Sequence, residues 1–326
     1  MPVRLCPRHK PFIAGNLPAR GRVRTAKSYN VAMTLPVPQW LKEMVRQNKA
    51  AMRGCAAGET ARQLDEKELH TVCVEALCPN RGRCFTEGDA TFMILGRICT
   101  RGCRFCAVER GAAQPPDADE PRRIADTAAK WKLSYVVLTS PTRDDLPDGG
   151  AAHYAAVIGA IKKLPGNVRV EPLIPDFAGN EKSLRTVLAA GPAVLAHNIE
   201  TVPRLYSSVR RGADYRRSMT LLERSAKLYP AIPVKSGLML GLGEKKDEVL
   251  AVLKDMSAAG TTMLTLGQYL APSGAHVPVE RYLEPAEYDE LAARAKEIGF
   301  KAVMSAPLVR SSYLAGRMYA SLSAGN

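Results

Sequence analysis

The sequence predicts an α/β protein, a partial (β/α)6 barrel of the TIM type, on three observations. From Thr91 onward, short apolar or β-branched runs alternate with longer amphipathic ones, the pattern of parallel strands covered by helices. Pro121 and Pro285 stand at helix starts, and Gly260 and Gly299 just past helix ends. Candidate chemistry recurs just after predicted strands, where such barrels keep their active sites. Six strand–helix units fit a partial barrel, and an open sheet is the alternative that periodicity alone leaves standing.

In chain order, residues 1–38 read as irregular, and a short helix follows Pro36 and Pro38, from Gln39 to Gln47. Strands are predicted at 91–96, 135–139, 168–174, 194–199, 234–240, 263–269 and 301–304. Helices are predicted near 121–132, 151–163, 181–190, 215–228, 245–259 and 285–298.

Composition narrows the class. At 326 residues and 46% hydrophobic content, the chain suits one large domain or two average ones. No apolar run reaches the roughly 18 residues that span a bilayer, so no membrane association is expected. Only 2 Trp and 6 Phe argue against a binder that stacks single-stranded bases. Net charge is +14, and Arg4, Arg8, Lys10, Arg20, Arg22, Arg24, Lys27 and Lys42 fall in a start without any acidic residue. Such an arm attracts an acidic partner or is merely solvated. An organelle transit peptide is a further reading, though prolines at 2, 7, 11 and 18 interrupt an amphipathic helix. No secretory leader is evident, so the expected location is the reducing cytoplasm, where dense cysteine points to metal or redox chemistry.

Of the eight cysteines, six form two triplets. Cys99, Cys103 and Cys106 are spaced C-x3-C-x2-C directly after the first predicted strand. Three thiolates on one tight loop can hold three irons of a 4Fe–4S cube, whose usual complement is four cysteines, and leave one iron open to a ligand. A structural zinc normally takes four ligands, and this loop contains no histidine. Cys73, Cys78 and Cys84 are spaced C-x4-C-x5-C in a loop rich in turn residues, Pro79, Asn80 and Gly82. Here too the fourth ligand is missing or is not cysteine, since Cys6 and Cys55 lie far off with no motif around them.

The spacing at Cys99–Cys106, with Phe105 before its last cysteine, resembles the radical S-adenosylmethionine superfamily. Within it, Glu75–Cys84 and Cys99–Cys106 together resemble lipoyl synthases. So do Arg143–Gly150, Pro175–Phe177, His197–Thr201, Lys235–Glu244, Gly267–Leu270 and Arg310–Tyr313, and the likeness runs from about Trp40 to Tyr313. It implies two 4Fe–4S clusters and S-adenosylmethionine as cofactors. The second triplet would ligate the cluster that cleaves S-adenosylmethionine. The first triplet would hold an auxiliary cluster that is consumed as sulfur donor, its fourth ligand Ser312, with Ser311 the other candidate. An alkoxide is a poorer match to such irons than a thiolate, which suits a ligand that is shed. Read without the family, the two serines are a helix cap. The implied reaction inserts two sulfur atoms at C6 and C8 of an octanoyl chain on a carrier lysine.

The resemblance also implies an architecture and partners. Residues 1–38 form the basic arm, 39–90 an extension with the auxiliary cluster, 91–305 the barrel, and 306–326 a tail returning to supply the serine. Partners would be octanoylated lipoyl domains or H protein, which are acidic carriers. An electron donor such as a flavodoxin or ferredoxin, and a cluster-repair protein, complete the set; nucleic acid is not expected. The sequence departs from the family pattern at Phe85, Pro141, Ala196 and Arg211, none of which is a cluster ligand. Rival readings are a radical methylthiotransferase, a non-catalytic iron–sulfur electron carrier, and a zinc-bound nucleic-acid binder.

Further motifs have both a functional and a plain reading. Ser140 ends the second strand and by position can meet the methionyl amine. Asp144, Asp145 and Asp148 suit a divalent ion but suit turn and cap roles better. Asn198 and Glu200 can point into the site, whereas His197 reads as a core histidine. Gly237 and Gly241 would let backbone approach the adenine; Gly241-Leu-Gly243 lacks the rest of a phosphate loop. Arg210, Arg211, Arg216 and Arg217 contact the cofactor carboxylate or an acidic partner, or form a solvated face.

Overall fold

The computed structural model describes residues 35–323 except Gly54, Gly88 and Asp89, so most of the basic arm, with Cys6, lies outside the described residues. The described residues form ten strands: β1 His70–Thr71, β2 Thr91–Met93, β3 Ile98–Cys99, β4 Glu109–Arg110, β5 Tyr135–Thr139, β6 Arg169–Leu173, β7 Leu195–Ala196, β8 Val234–Leu240, β9 Met263–Gln268 and β10 Ala302–Ser305. Eight of them make one sheet in the order β1-β2-β5-β6-β7-β8-β9-β10. All its pairs are parallel except β1 with β2, and the two ends do not meet. The result is a barrel with one side open, six strand–helix units and a seventh parallel strand.

The long helices that follow β2, β5, β6, β8 and β9 sit close to where the sequence pattern placed them. Pro285 occupies the first turn of Pro285–Ile298, and Gly299 at φ 120° ends it, a conformation only glycine adopts without strain. The N-terminal helices pack beside β2: Thr60 donates to the Phe85 carbonyl (2.9 Å), and the Trp131 indole donates to Gln63 (2.6 Å). Helix Cys55–Glu66 is not foreseen from sequence. Its buried positions Ala57, Thr60 and Leu64 are mostly small, so its periodic signal is faint. Strand β7 is shorter than the predicted 194–199, and Glu200 pairs again with Leu238 of β8 only as an isolated bridge.

The C-terminal tail closes the open side. After β10, Ala306 N–H donates to Leu266 O (3.2 Å), and Gln268 N–H donates to Pro307 O (3.0 Å). Asn80, between the first-triplet cysteines, donates to Leu308 O at 2.6 Å. The tail ends in helix Ala315–Ser323, where Met318 packs on Val194, Met263 and Ala302 at strand starts. Tyr319 lies 5.7 Å from the Tyr135 ring, with Arg169 stacked over it. The tail therefore runs from the C-terminal ends of the strands to a plug at the opposite end of the barrel.

Gly267 permits that route, since a Cβ there would come 2.1 Å from Val309 O, which is backbone and cannot swing aside. Gly267→Ala should cost about 1–3 kcal/mol, the usual range for an overpacked site. A fall in the urea midpoint with unchanged slope is the expected reading. Among the described residues, no helix is long and apolar enough to cross a membrane.

Candidate active site

A cavity of about 1320 Å³ lies at the C-terminal ends of the barrel strands. Cys99, Cys103 and Cys106 line it from the loop after β2, and Cys73 and Cys78 from the N-terminal segment. Ser311 and Ser312 line it from the tail.

Neighbouring loops hold the Cys99–Cys106 loop in place. Arg104 N–H donates to Val209 O (2.8 Å), Val277 N–H donates to Arg104 O (3.0 Å), and the His276 ring lies 3.1 Å from Cys106 O. Arg101, between the first two cysteines, grips Asp144 at 2.7 and 2.8 Å and Asp176 at 2.7 and 2.9 Å. Asp176 is shielded from solvent and also accepts from Arg217 (2.8 Å). Burial opposes its ionisation, but the hydrogen bonds and charge of Arg101, with Arg217, hold its carboxyl well below the usual range. This clamp joins three loops. Sequence reading passed over Asp176 although Pro175-Asp-Phe177 was one of the matching stretches.

The thiols suit metal more than free solution. Burial pushes Cys73 up to about 11, Cys103 to about 11 and Cys106 to about 12. A bare thiolate is therefore disfavoured, and coordination to a cation is what removes the proton. Cys99 Sγ accepts from the backbone N–H of Arg101 (3.4 Å) and of Thr142 (3.3 Å), bonds of the kind that tune a cluster sulfur. Among the described residues, no three Cys, His, Asp or Glu converge as ligands of one bare ion. Each triplet offers three soft sulfur donors, a set that suits an iron–sulfur cluster.

Asn198 is buried and lines the cavity, and its Oδ1 has no partner. Its Nδ2 donates to Glu200 Oε1 (3.1 Å) and to Ser311 Oγ (2.9 Å). Burial raises the Glu200 carboxyl, opposed by Arg210, Asn198 and Arg310. Glu200 occupies the left-handed region, strain of a kind that clusters at functional sites. Arg210 is held by the Tyr206 hydroxyl (2.8 Å) and by Ser218 (3.2 Å). An orphan acceptor beside a carboxylate and two cations suits a zwitterionic amino-acid group together with ribose hydroxyls.

The tail and the first triplet meet at this cavity. The Arg310 guanidinium, lowered by burial, feels the charges of Cys78 and Glu200, and Tyr313 feels that of Cys84. Arg310, Ser311 and Ser312 line the same cavity as Cys73 and Cys78. Ser311 is engaged by Asn198, whereas Ser312 has no side-chain hydrogen bond among the described residues. Cys84 is partly buried on helix Arg81–Glu87, outside the cavity wall.

Other sequence readings divide. Phe105 and Ser140 line the cavity, and Ser140 Oγ accepts from Tyr154 at 3.0 Å. Gly237 lines it too, but a Cβ there would clash first with Thr265 (2.4 Å), so strand packing already requires glycine. Gly241 is corrected: it is not on the cavity wall. Its φ of 98° and the nearby Gln268 and Arg281 demand glycine, and Glu244 accepts from the N–H groups of Gly241 (2.5 Å) and Leu242 (2.9 Å). Those amides are occupied by the protein itself. The three aspartates take the plain reading, Asp144 with Arg101, Asp145 with Arg143, and Asp148 capping Ala152. Of the arginine cluster, Arg210 faces the cavity, Arg217 joins the clamp, and Arg211 and Arg216 are exposed.

His197 is a satisfied core residue, with its ring nitrogens 2.9 Å from Ile174 O and 3.0 Å from Ser218 Oγ. Burial, then Arg210, lowers it to about 4. The unfolded chain, with an ordinary histidine near pH 6.5, binds the proton first as pH falls. Stability from this group is full above about pH 6.5 and drains away toward the folded value. Between pH 7.5 and 5.5 the loss should be about 1 kcal/mol. His197→Asn should reduce that slope in urea titrations at the two pH values.

The fold and site are those of a radical S-adenosylmethionine enzyme, and that superfamily matches residues 93–256. Methylornithine synthase shares the fold at TM-score 0.50 and 17% identity, over 65% of this chain and 62% of that one. A hydrogenase maturase does so at TM-score 0.51 and 14% identity, over 80% and 65%. More specifically, the chain is 55% identical over 278 residues to a lipoyl synthase of Trichlorobacter lovleyi, covering 85% of this chain and 96% of that protein. It is 54% identical to one of Methylococcus capsulatus, covering 87% and 86%. The chain belongs to the lipoyl synthase family.

Proposed function

We propose that this chain inserts two sulfur atoms, at C6 and C8, into an octanoyl group carried on a lysine of a lipoyl-domain protein. The observation that carries the reading is one chamber walled by cysteines of both triplets and by the tail serines. Cys99, Cys103 and Cys106 would hold the radical-generating cluster; Cys73, Cys78, Cys84 and Ser312 would hold the auxiliary one. When bound, the former with S-adenosylmethionine supplies a carbon radical able to take hydrogen from an unactivated carbon, and the latter supplies sulfide.

The chain's own residues do the positioning. Asn198, Glu200 and Arg210 bind the polar groups of the cofactor. The Arg101–Asp144–Asp176 clamp fixes the cysteine loop. Near the first triplet, Leu41, Val45 and Leu77 offer an apolar wall for an aliphatic chain. Lys42 and Arg46 lie on the same wall and favour an acidic carrier, such as a lipoyl domain or H protein, in the cytoplasm.

Anaerobic purification with iron and sulfide counting tests the reading. About eight irons per chain are expected, as two four-iron clusters require. Four would sink the sulfur-donor role, and none would end the iron–sulfur assignment.

A further inference from the structure

The Asn198 side chain spans the two halves of the chamber. Its Nδ2 carries two hydrogens, and both are used, one toward Glu200 and the other toward Ser311. That pairing sets the orientation, because turning the amide over would aim its oxygen at the Glu200 carboxylate. Oδ1 is left buried and without a partner beside the cavity. Gly237 helps keep that side open, since even a Cβ there would lie 3.4 Å from Oδ1. A buried carbonyl oxygen is satisfied only when a donor reaches it, and among the described residues none does.

We propose that Asn198 is a positioning residue that couples the cofactor pocket to the seat of Ser312. A hydrogen-bond donor of bound S-adenosylmethionine, ammonium or hydroxyl, meets Oδ1 and fixes the amide plane. The fixed amide holds Ser311, and through the adjoining backbone it holds the Ser312 hydroxyl toward the first triplet. When the cofactor leaves, the amide loses its third contact and the serine is easier to shed. This inference rests on Ser312 being the ligand. Coupling of this kind is reciprocal, so the tail must also influence cofactor affinity.

The test uses protein loaded with both clusters, mixed anaerobically with a ferrous-iron chelator, with and without S-adenosylmethionine. Iron from the first-triplet site is assigned by difference from Cys73→Ala, which lacks one of its ligands. In the wild-type chain the cofactor should slow that release on the order of fivefold or more, the lower end of typical coupling. Asn198→Ala and Ser311→Ala should release iron at a rate the cofactor no longer changes, and Ser311→Thr should restore the dependence. Ser311→Ala should also weaken cofactor binding in equilibrium dialysis.

Ser312→Ala separates the two readings, since it should release iron quickly under both conditions. If Ser312→Ala is as slow as wild type, the ligand reading falls and takes the coupling with it. If Ser312→Ala is fast while Asn198→Ala and Ser311→Ala still respond as wild type does, the coupling alone falls. It falls likewise if the wild-type rate ignores the cofactor.

Discussion

Cys73→Ala should leave reductive cleavage of S-adenosylmethionine intact and abolish formation of the lipoyl group. The expectation follows from where Cys73 sits. It is almost wholly buried, on the short helix Val72–Glu75 beside β2, and is no part of the Cys99–Cys106 loop or its clamp. Removing its sulfur deletes one of three thiolates from the auxiliary site and leaves the pocket of Asn198, Glu200 and Arg210 untouched. Cys103→Ala is the mirror experiment, in which cleavage and product should both vanish. Chromatography of 5′-deoxyadenosine and mass spectrometry of the carrier peptide read the two outcomes separately. Lipoyl groups made by Cys73→Ala would refute the sulfur-donor role of the first triplet.

The largest expected effect on stability comes from a pair in the barrel interior. Lys235 on β8 and Glu171 on β6 are 0% and 1% exposed and meet at 2.7 Å, and the Tyr135 hydroxyl donates to the same carboxylate at 2.5 Å. Lys235→Met removes the cation but keeps the volume, leaving Glu171 buried with one neutral donor. The expected cost is about 3–5 kcal/mol, because an uncompensated buried charge remains. Lys235→Met combined with Glu171→Leu should regain much of it, since removing both charges removes the desolvation problem as well. Denaturant titrations of the single and double variants give the coupling directly. A single variant within about 0.5 kcal/mol of wild type, the range of ordinary surface changes, would mean the pair is not needed.

Strand and helix positions were largely legible because they depend on local pattern. Proline and glycine punctuation marked helix ends to within a residue or two, as at Pro285 and Gly299. The helix Cys55–Glu66 escaped because small residues fill its buried face. The cysteine triplets were legible because loop ligands lie close together in the chain. Glycines were less so: Gly237 and Gly241 looked like places for a cofactor to approach, yet Thr265, Gln268 and Arg281 of the protein itself stand where a Cβ would go. The grip of Arg101 on Asp176 was not readable, since 75 residues separate the partners and no periodicity links them.

The six cysteines between Cys73 and Cys106, the barrel pattern and the family likeness were determined by sequence alone. All of these reside in neighbouring residues or in short repeats, which a linear reading captures. Tertiary structure alone decided that Cys73 and Cys78 open onto the same cavity as Cys99, Cys103 and Cys106, and that the tail crosses the open side of the barrel. It also decided that Asn198 engages Ser311, while Ser312 has no side-chain hydrogen bond among the described residues. Asn198 and Ser311 are 113 positions apart. They meet because Gly267 lets the tail lie against β9 and because the helix Ala315–Ser323 anchors the tail across the strand starts. Such contacts depend on shape and close packing between distant segments, and the spacing of letters along the chain does not carry them.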